Sequence, residues 1–367
     1  MRLYVGRDKL TGKRLYDAEV IRGSQRDAKS KLNEKLAKKD HGQLVPKTFA
    51  TLGEYLGEWV ETIAKARVRE VTFESYKYHL KRYLPPGLLA TNLSKVRTID
   101  IQAHYNSLTK SYSARTVRYV HSILSNALKK AVQMRLIPCN PCDFAELPRQ
   151  QKNEVKAFTP EAAKNFLDAA GRHKDGLIFE LALLTGARPE EYPALRWADV
   201  DFSRACVTFR RALIWRKGGG FYFDEQMKTS RSKRTISLPQ VLLEKLRRHR
   251  VEQAEVIIAS GPSYSRDDLV FATPLGTPTR YGNLTRRSFH QILKHAGLGH
   301  YTLYSLRHSC ATLLLSRGEN IKVIQERLGH ADITLTLSTY SHVLQGMQVQ
   351  ASKNLGSLFY EQISKSG

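Results

Sequence analysis

The chain has 367 residues, with 59 Lys and Arg against 34 Asp and Glu and a formal net charge of +25 at pH 7. At roughly 100–200 residues per domain the length fits about two or three domains, and 41% hydrophobic residues with 17 Tyr, 13 Phe and 3 Trp supply packed cores, which excludes a disordered tail. The charge excess forecasts a polyanionic partner, because Lys and Arg gain affinity by displacing counterions condensed on phosphates; with neither a span of about 18–20 uncharged apolar residues nor an apolar signal core in Met1–Leu10, the expectation is a soluble, cytoplasmic, nucleic-acid-binding protein without a membrane partner.

In chain order, residues 1–46 read as a small module of their own. Leu3–Gly6 and Arg14–Ile21 are β-rich runs around a Thr11-Gly12 turn, and a charged helix opens at Asp27 and runs to Lys39. Its basic residues suit a nucleic-acid-reading sheet. From Thr48 the period becomes helical: Leu52, Tyr55, Leu56, Trp59, Val60 and Ile63 share one face. Further helices are expected at Thr72–Leu84, Thr98–Leu108 and Ser113–Leu136, with Thr98 and Ser113 as N-caps and Val117, Val120, Leu124, Ala127 and Ala131 as the apolar stripe of the last. This makes 47–137 an all-helical domain, whose Lys65, Arg67, Lys77, Arg118, Lys129 and Lys130 fit a duplex clamp.

Pro138, Pro141 and Pro148 then break the chain, so 138–155 reads as a linker. Cys139 and Cys142 form a CxxC without a second pair, since Cys206 and Cys310 stand far apart; the expectation is reduced thiols and no metal. Residues 156–367 are mixed and mainly helical. Thr159-Pro160 starts a helix, Gly176–Leu184 is an apolar one, and Ala205–Trp215, Phe221–Gln226 and Thr235–Leu238 read as strands, with a turn at Lys217–Gly220. Helices follow at Gln240–Ala259, Tyr281–Ala296, Thr302–Arg317, Ile321–Leu328 and around Tyr340. The glycine triplet lacks the Gly-Lys-Ser/Thr ending of a phosphate loop. His290, His295, His300 and His308 have no carboxylate cluster beside them, which weighs against a metal-dependent nuclease.

Three segments carry chemistry. In Thr185-Gly186-Ala187-Arg188-Pro189-Glu190-Glu191, an apolar helix ends at a glycine that allows a left-handed turn and presents Arg188, which can grip a phosphate bidentately. Tyr304-Ser305-Leu306-Arg307-His308 lies on an amphipathic helix behind Thr302. Leu328-Gly329-His330 is followed about ten residues later by Thr339-Tyr340-Ser341-His342.

Over Phe158 to Val343 these boxes, in this order, resemble the tyrosine recombinase family, the phage-integrase type of site-specific DNA recombinase. The resemblance implies a multidomain fold: a small β-sheet-plus-helix N-terminal module touching arm-type DNA, an all-α core-binding domain, and a mixed α+β, mainly helical catalytic domain that completes a clamp on the core site. It implies Tyr340 as nucleophile, Arg188 and Arg307 as phosphate clamp, His330 as a hydrogen-bonding partner of the phosphate and Glu191 as support for the first arginine. It also implies a hairpin lysine as general acid; Lys228 sits where that lysine is expected, with Lys217 and Lys233 as rivals. Tyr304 stands where the family most often has His. A phenol titrates near 10 rather than near 6.5, so Tyr304 is a poor proton acceptor, and His308, about 100° round the helix from Arg307, is a second candidate.

No cofactor is implied. The implied partners are double-stranded DNA with core-type and arm-type sites, three further copies in a homotetramer, and accessory DNA-bending and directionality proteins. A type IB topoisomerase and a non-catalytic DNA-binding regulator are the alternatives. The basic clamp predicts that DNA affinity falls by about one decade per tenfold rise in salt for each phosphate contact, read by titration over a salt series; a flat dependence contradicts it.

Overall fold

A computed structural model of the chain describes residues 2–7, 14–18, 20, 23–40, 51–150, 156–216, 218–225, 233–334, 336–337, 352–353, 355–357 and 359. These residues fall into two compact units, 1–152 and 153–367. In the first, β1 (Arg2–Arg7) pairs antiparallel with β2 (Arg14–Ala18), with a bulge between Tyr4 and Gly6. Next comes α1 (Gln25–Asp40). It opens before the expected Asp27, because Ser24 caps it: the Asp27 amide donates to Ser24 Oγ at 3.3 Å, and the Ser24 amide returns a bond to Asp27 Oδ2 at 2.9 Å.

The helical part begins with α2 (Leu52–Glu58), capped by a Thr51–Glu54 box. A π-helical turn, Trp59–Ala64, carries the helix into α3 (Lys65–Arg67). There the Thr62 hydroxyl donates to the Glu58 carbonyl at 2.6 Å. The predicted face survives this turn, with Leu52, Tyr55, Leu56, Trp59 and Val60 all buried. Then follow α4 (Glu70–Tyr83), α5 (Pro86–Leu89), α6 (Thr98–Thr109) and α7 (Ala114–Gln133).

Thr98 is not the cap of α6. Arg97 holds that position, and Asp100 accepts from its amide at 3.0 Å and from its guanidinium. Ser113 does cap α7, accepting from the Thr116 amide, and the whole expected stripe is buried. Across this core the Tyr55 hydroxyl reaches the Ala127 carbonyl at 2.6 Å. The stretch after Pro138, read as a linker, packs back onto the helices as far as Pro148. Cys142 is buried against Tyr105, Asn140 ties Ser125 to Asp143, and Arg118 Nε donates to the Pro148 carbonyl at 2.9 Å. Cys139 is exposed, so the two thiols of the CxxC lie in different surroundings. A cleft of about 370 Å³ in this unit is lined by Trp59, Tyr76, Arg67, Lys129 and Lys130, aromatic and basic together.

In the second unit, Thr159 caps α8 (Pro160–Ala170) and α9 (Gly176–Thr185) runs through the core. The strands are β3 (Val200–Asp201), β4 (Cys206–Phe209), β5 (Ala212–Trp215), β6 (Phe221–Asp224) and β7 (Arg234–Ser237). They form one sheet in the order β3-β4-β7 and a separate β5-β6 hairpin. The single strand expected over Ala205–Trp215 is therefore two. The chain breaks at Arg210 and Arg211, whose side chains both turn to the buried carboxylate of Asp199. After α10 (Gln240–Ser260), the short α11 (Tyr281–Asn283) passes through a π-helical turn, Leu284–Phe289, into α12 (His290–His295). α13 (Leu303–Ser316) and α14 (Ile321–Leu328) complete the unit. Phe166, Phe179 and Phe289 meet at its centre with ring centroids 5.4–5.7 Å apart. Among the described residues no helix is long and apolar enough to cross a membrane.

Candidate active site

Two helix ends build the site. α9 terminates at Gly186 in the left-handed conformation, φ +67°, and α14 at Gly329, φ +64°. At Gly186 a Cβ would come within 2.8 Å of the Leu328 side chain, so glycine is demanded by space as well as by φ. A helix end leaves carbonyls without intrahelical partners, and its dipole favours a cation there. Arginines fill both needs. Arg307, on α13 and only 4% exposed, donates from Nη1 to the Gly186 carbonyl at 2.8 Å and from Nη2 to the Leu328 carbonyl at 2.6 Å. Arg188 donates from Nη2 to the adjacent Gly329 carbonyl at 3.0 Å. The two guanidiniums thus hang from neighbouring peptide groups.

Glu191 lies between charges. Its Oε1 accepts from Arg188 Nη1 at 2.7 Å, and its Oε2 from the Arg188 amide at 2.8 Å. Arg234, at the start of β7, reaches both oxygens, at 3.0 and 2.6 Å, and sends Nε to the Arg327 carbonyl at 2.6 Å. At 1% exposure, burial would raise the Glu191 carboxyl, but the charge and hydrogen bonds of Arg234, then of Arg188, outweigh it and hold it at about 2. It is an anion at neutral pH.

His330 stands just after Gly329, with Nδ1 at 2.8 Å from the hydroxyl of Thr336. Burial, then the charges of Arg307 and Arg188, lower it to about 3, so the ring is neutral. His308 is lowered to about 4 by burial and by Arg307. Tyr304, 42% exposed, donates its hydroxyl to Glu190 Oε2 at 3.2 Å; burial and then Glu190 push the phenol up to about 12.

Arg188, Arg307, Glu191, His330, Tyr304 and His308 are therefore brought together. Tyr340 and Lys228 lie outside the described residues, as does Lys217, and Lys233 is exposed at the foot of β7. Sequence reasoning missed Arg234 and Glu190. A signal for Arg234 existed: alternation along β7 puts it on the buried face with Ile236, where an arginine needs an anion. Among the described residues no group of three or more His, Cys, Asp or Glu side chains is placed to hold a metal ion.

Residues 151–347 match the sequence pattern of the phage integrase family, more than half of the 367 residues. The chain belongs to the phage integrase family. Residues 51–109 match the family's N-terminal SAM-like domain. The chain is 29% identical to the tyrosine recombinase XerC-like protein of Caldanaerobacter subterraneus subsp. tengcongensis, across 97% of its own length and 95% of that relative. It is 27% identical to the ICEBs1 integrase of Bacillus subtilis, over 78% of the chain and 77% of the relative.

The fold is shared with the Tn1549 transposon integrase in complex with a circular intermediate DNA, at a TM-score of 0.68 and 21% identity, covering 79% of this chain and 95% of that one. It is shared also with lambda integrase in a tetramer bound to a Holliday junction, at 0.59 and 20%, covering 91% and 90%. As a phage integrase family tyrosine recombinase, the chain is a DNA-cleaving and rejoining enzyme.

In this phage integrase family site Glu191 offsets two guanidiniums, so Glu191→Gln should lower stability by about 3–5 kcal/mol in denaturant unfolding, leaving buried charge without its counterion. The sign with pH follows from its lowered value. A carboxylate held below its ordinary 4.5 stabilises the fold above that pH and stops doing so as pH falls toward 2. The thermal midpoint of the native protein should drop through that window, and Glu191→Gln should remove that part of the drop.

Proposed function

We propose that the chain recombines two specific duplex DNA sites, integrating and excising a phage or other mobile element through a covalent 3′-phosphotyrosine at Tyr340. The observation that carries this reading is the convergence of Arg188 and Arg307 on neighbouring carbonyls beside His330. A phosphodiester gains negative charge as a nucleophile adds, so guanidiniums fixed before DNA arrives favour the transition state over the ground state. Arg188 and Arg307 clamp the scissile phosphate and His330 contributes a hydrogen bond to it.

Tyr340 attacks in line, forming the Tyr340 O–P bond while the P–O5′ bond breaks. Lys228 gives its proton to the departing 5′-oxygen. The ester retains the bond energy, so a 5′-hydroxyl from the partner duplex reverses the step without ATP or a cofactor. The basic aromatic cleft of Trp59, Tyr76, Arg67, Lys129 and Lys130 supports core-site DNA binding by the helical unit. The paired strands and helix of residues 2–40 support arm-type binding. Four copies act on two duplexes, with accessory bending and directionality proteins setting the outcome.

In the C-terminal tail Leu355 and Phe359 are exposed, 60% and 68%, while Leu358 and Ile363 lie outside the described residues. This tail docks on a neighbouring protomer; deletion of Leu355–Gly367 should weaken synapsis of two sites in a gel-shift assay and leave binding to one site intact, whereas unchanged synapsis argues against docking. For the chemistry, a nicked suicide duplex should trap a covalent adduct with wild type and none with Tyr340→Phe. Arg188→Ala should slow adduct formation about 10²–10³-fold. An adduct that persists in Tyr340→Phe contradicts the reading, and one formed equally on any sequence points to a topoisomerase.

A further inference from the structure

With Tyr304 in place of the usual histidine, another group must accept the nucleophile's proton, and the geometry narrows the choice. His330 is engaged through Nδ1 with the Thr336 hydroxyl and is assigned to the phosphate, and His308 is half-buried beside Arg307. Glu191 has both oxygens occupied by Arg188 and Arg234 and stays ionised for structural reasons. Glu190 stands apart from that cluster: its Oε2 accepts the Tyr304 hydroxyl at 3.2 Å, while the Tyr304 ring remains half-exposed. A phenol that donates its hydrogen to a carboxylate keeps its own lone pairs as acceptors. Around this pair stand Arg188, Arg307, Tyr192 and Tyr281. Burial and Glu190 keep the phenol from ionising alone, so Tyr304 takes a proton only as it hands its own on.

We propose that Tyr304 and Glu190 form a two-member proton relay, in which Tyr304 is the group that meets the nucleophile's hydroxyl and Glu190 is the final acceptor. The inference rests on the reading of Tyr340 as nucleophile. The Tyr340 proton passes to the Tyr304 oxygen as the Tyr304 proton passes to Glu190, which becomes a carboxylic acid. The Tyr340 O–P bond forms, the P–O5′ bond breaks, and the leaving oxygen takes its proton from the lysine. Rejoining runs the same transfers backwards, so the carboxylate is restored with the phenol.

The test is single-turnover cleavage by the full chain on the nicked duplex and on the same duplex with sulfur at the bridging 5′ position, where a thiolate leaves without needing a proton. Glu190→Gln and Tyr304→Phe should each slow cleavage about 10²-fold on both substrates, and the double variant should be no slower than either. Tyr304→His should restore the rate in the Glu190→Gln background, because imidazole takes the proton itself.

A wild-type rate in Glu190→Gln overturns the relay. Rescue of that variant by the sulfur substrate overturns it too, since it moves Glu190 to the leaving-group side. Should Glu190→Gln lose DNA affinity, Tyr304→Phe decides alone. Failure of the nucleophile reading looks different: an adduct would persist in Tyr340→Phe.

Discussion

A carboxylate sealed between two guanidiniums, Glu191 with Arg188 on one side and Arg234 on the other, is the constraint on which the rest of the site depends. An enzyme that stabilises a developing phosphate dianion must gather cations before its substrate arrives, and like charges gathered in a low-dielectric interior repel. Glu191 offsets that repulsion at one point. Arg234 does more than balance charge: it joins the sheet, through β7, to the carboxylate and to the Arg327 carbonyl at the end of α14. Through this buried arginine the start of β7 is held to the cluster of Arg188 and Glu191.

Main-chain carbonyls provide the other half of the preorganisation. Glycines at 186 and 329 end two helices in left-handed turns, and the carbonyls exposed there accept Arg307 and Arg188. Local backbone chemistry thus sets the position of the two guanidiniums, which are held by bonds within the protein itself. The same field keeps His308 and His330 neutral, which makes His330 a hydrogen-bonding group rather than a third cation.

Much of this was legible in the residues themselves. The stripe of α7 from Val117 to Ala131 needs only helical spacing, and Thr185-Gly186 announces a helix end that presents the next arginine. What stayed hidden depends on partners distant in sequence. Arg234 and Glu191 are 43 positions apart, and nothing local to either names the other. The split between β4 and β5 follows from Asp199, whose buried charge draws Arg210 and Arg211 out of a strand that their neighbours favour. Cys142 shows the same effect in reverse, since a proline-rich run looks like a connector until Tyr105 and the core of the helical unit cover it. Arg97 displaced Thr98 as the α6 cap because Asp100 can bond the Arg97 amide and side chain together.

The account's central claim is that Arg188 and Arg307 meet one phosphate opposite an attacking phenol. Its most direct measurement is a structure of the protein on a core-site duplex nicked at the scissile position, with vanadate bridging the strand end and the protein. The account predicts vanadate oxygens within about 3 Å of both guanidiniums and the Tyr340 oxygen at an apical position. Vanadate held away from either arginine, or bonded to a different side chain, would contradict it.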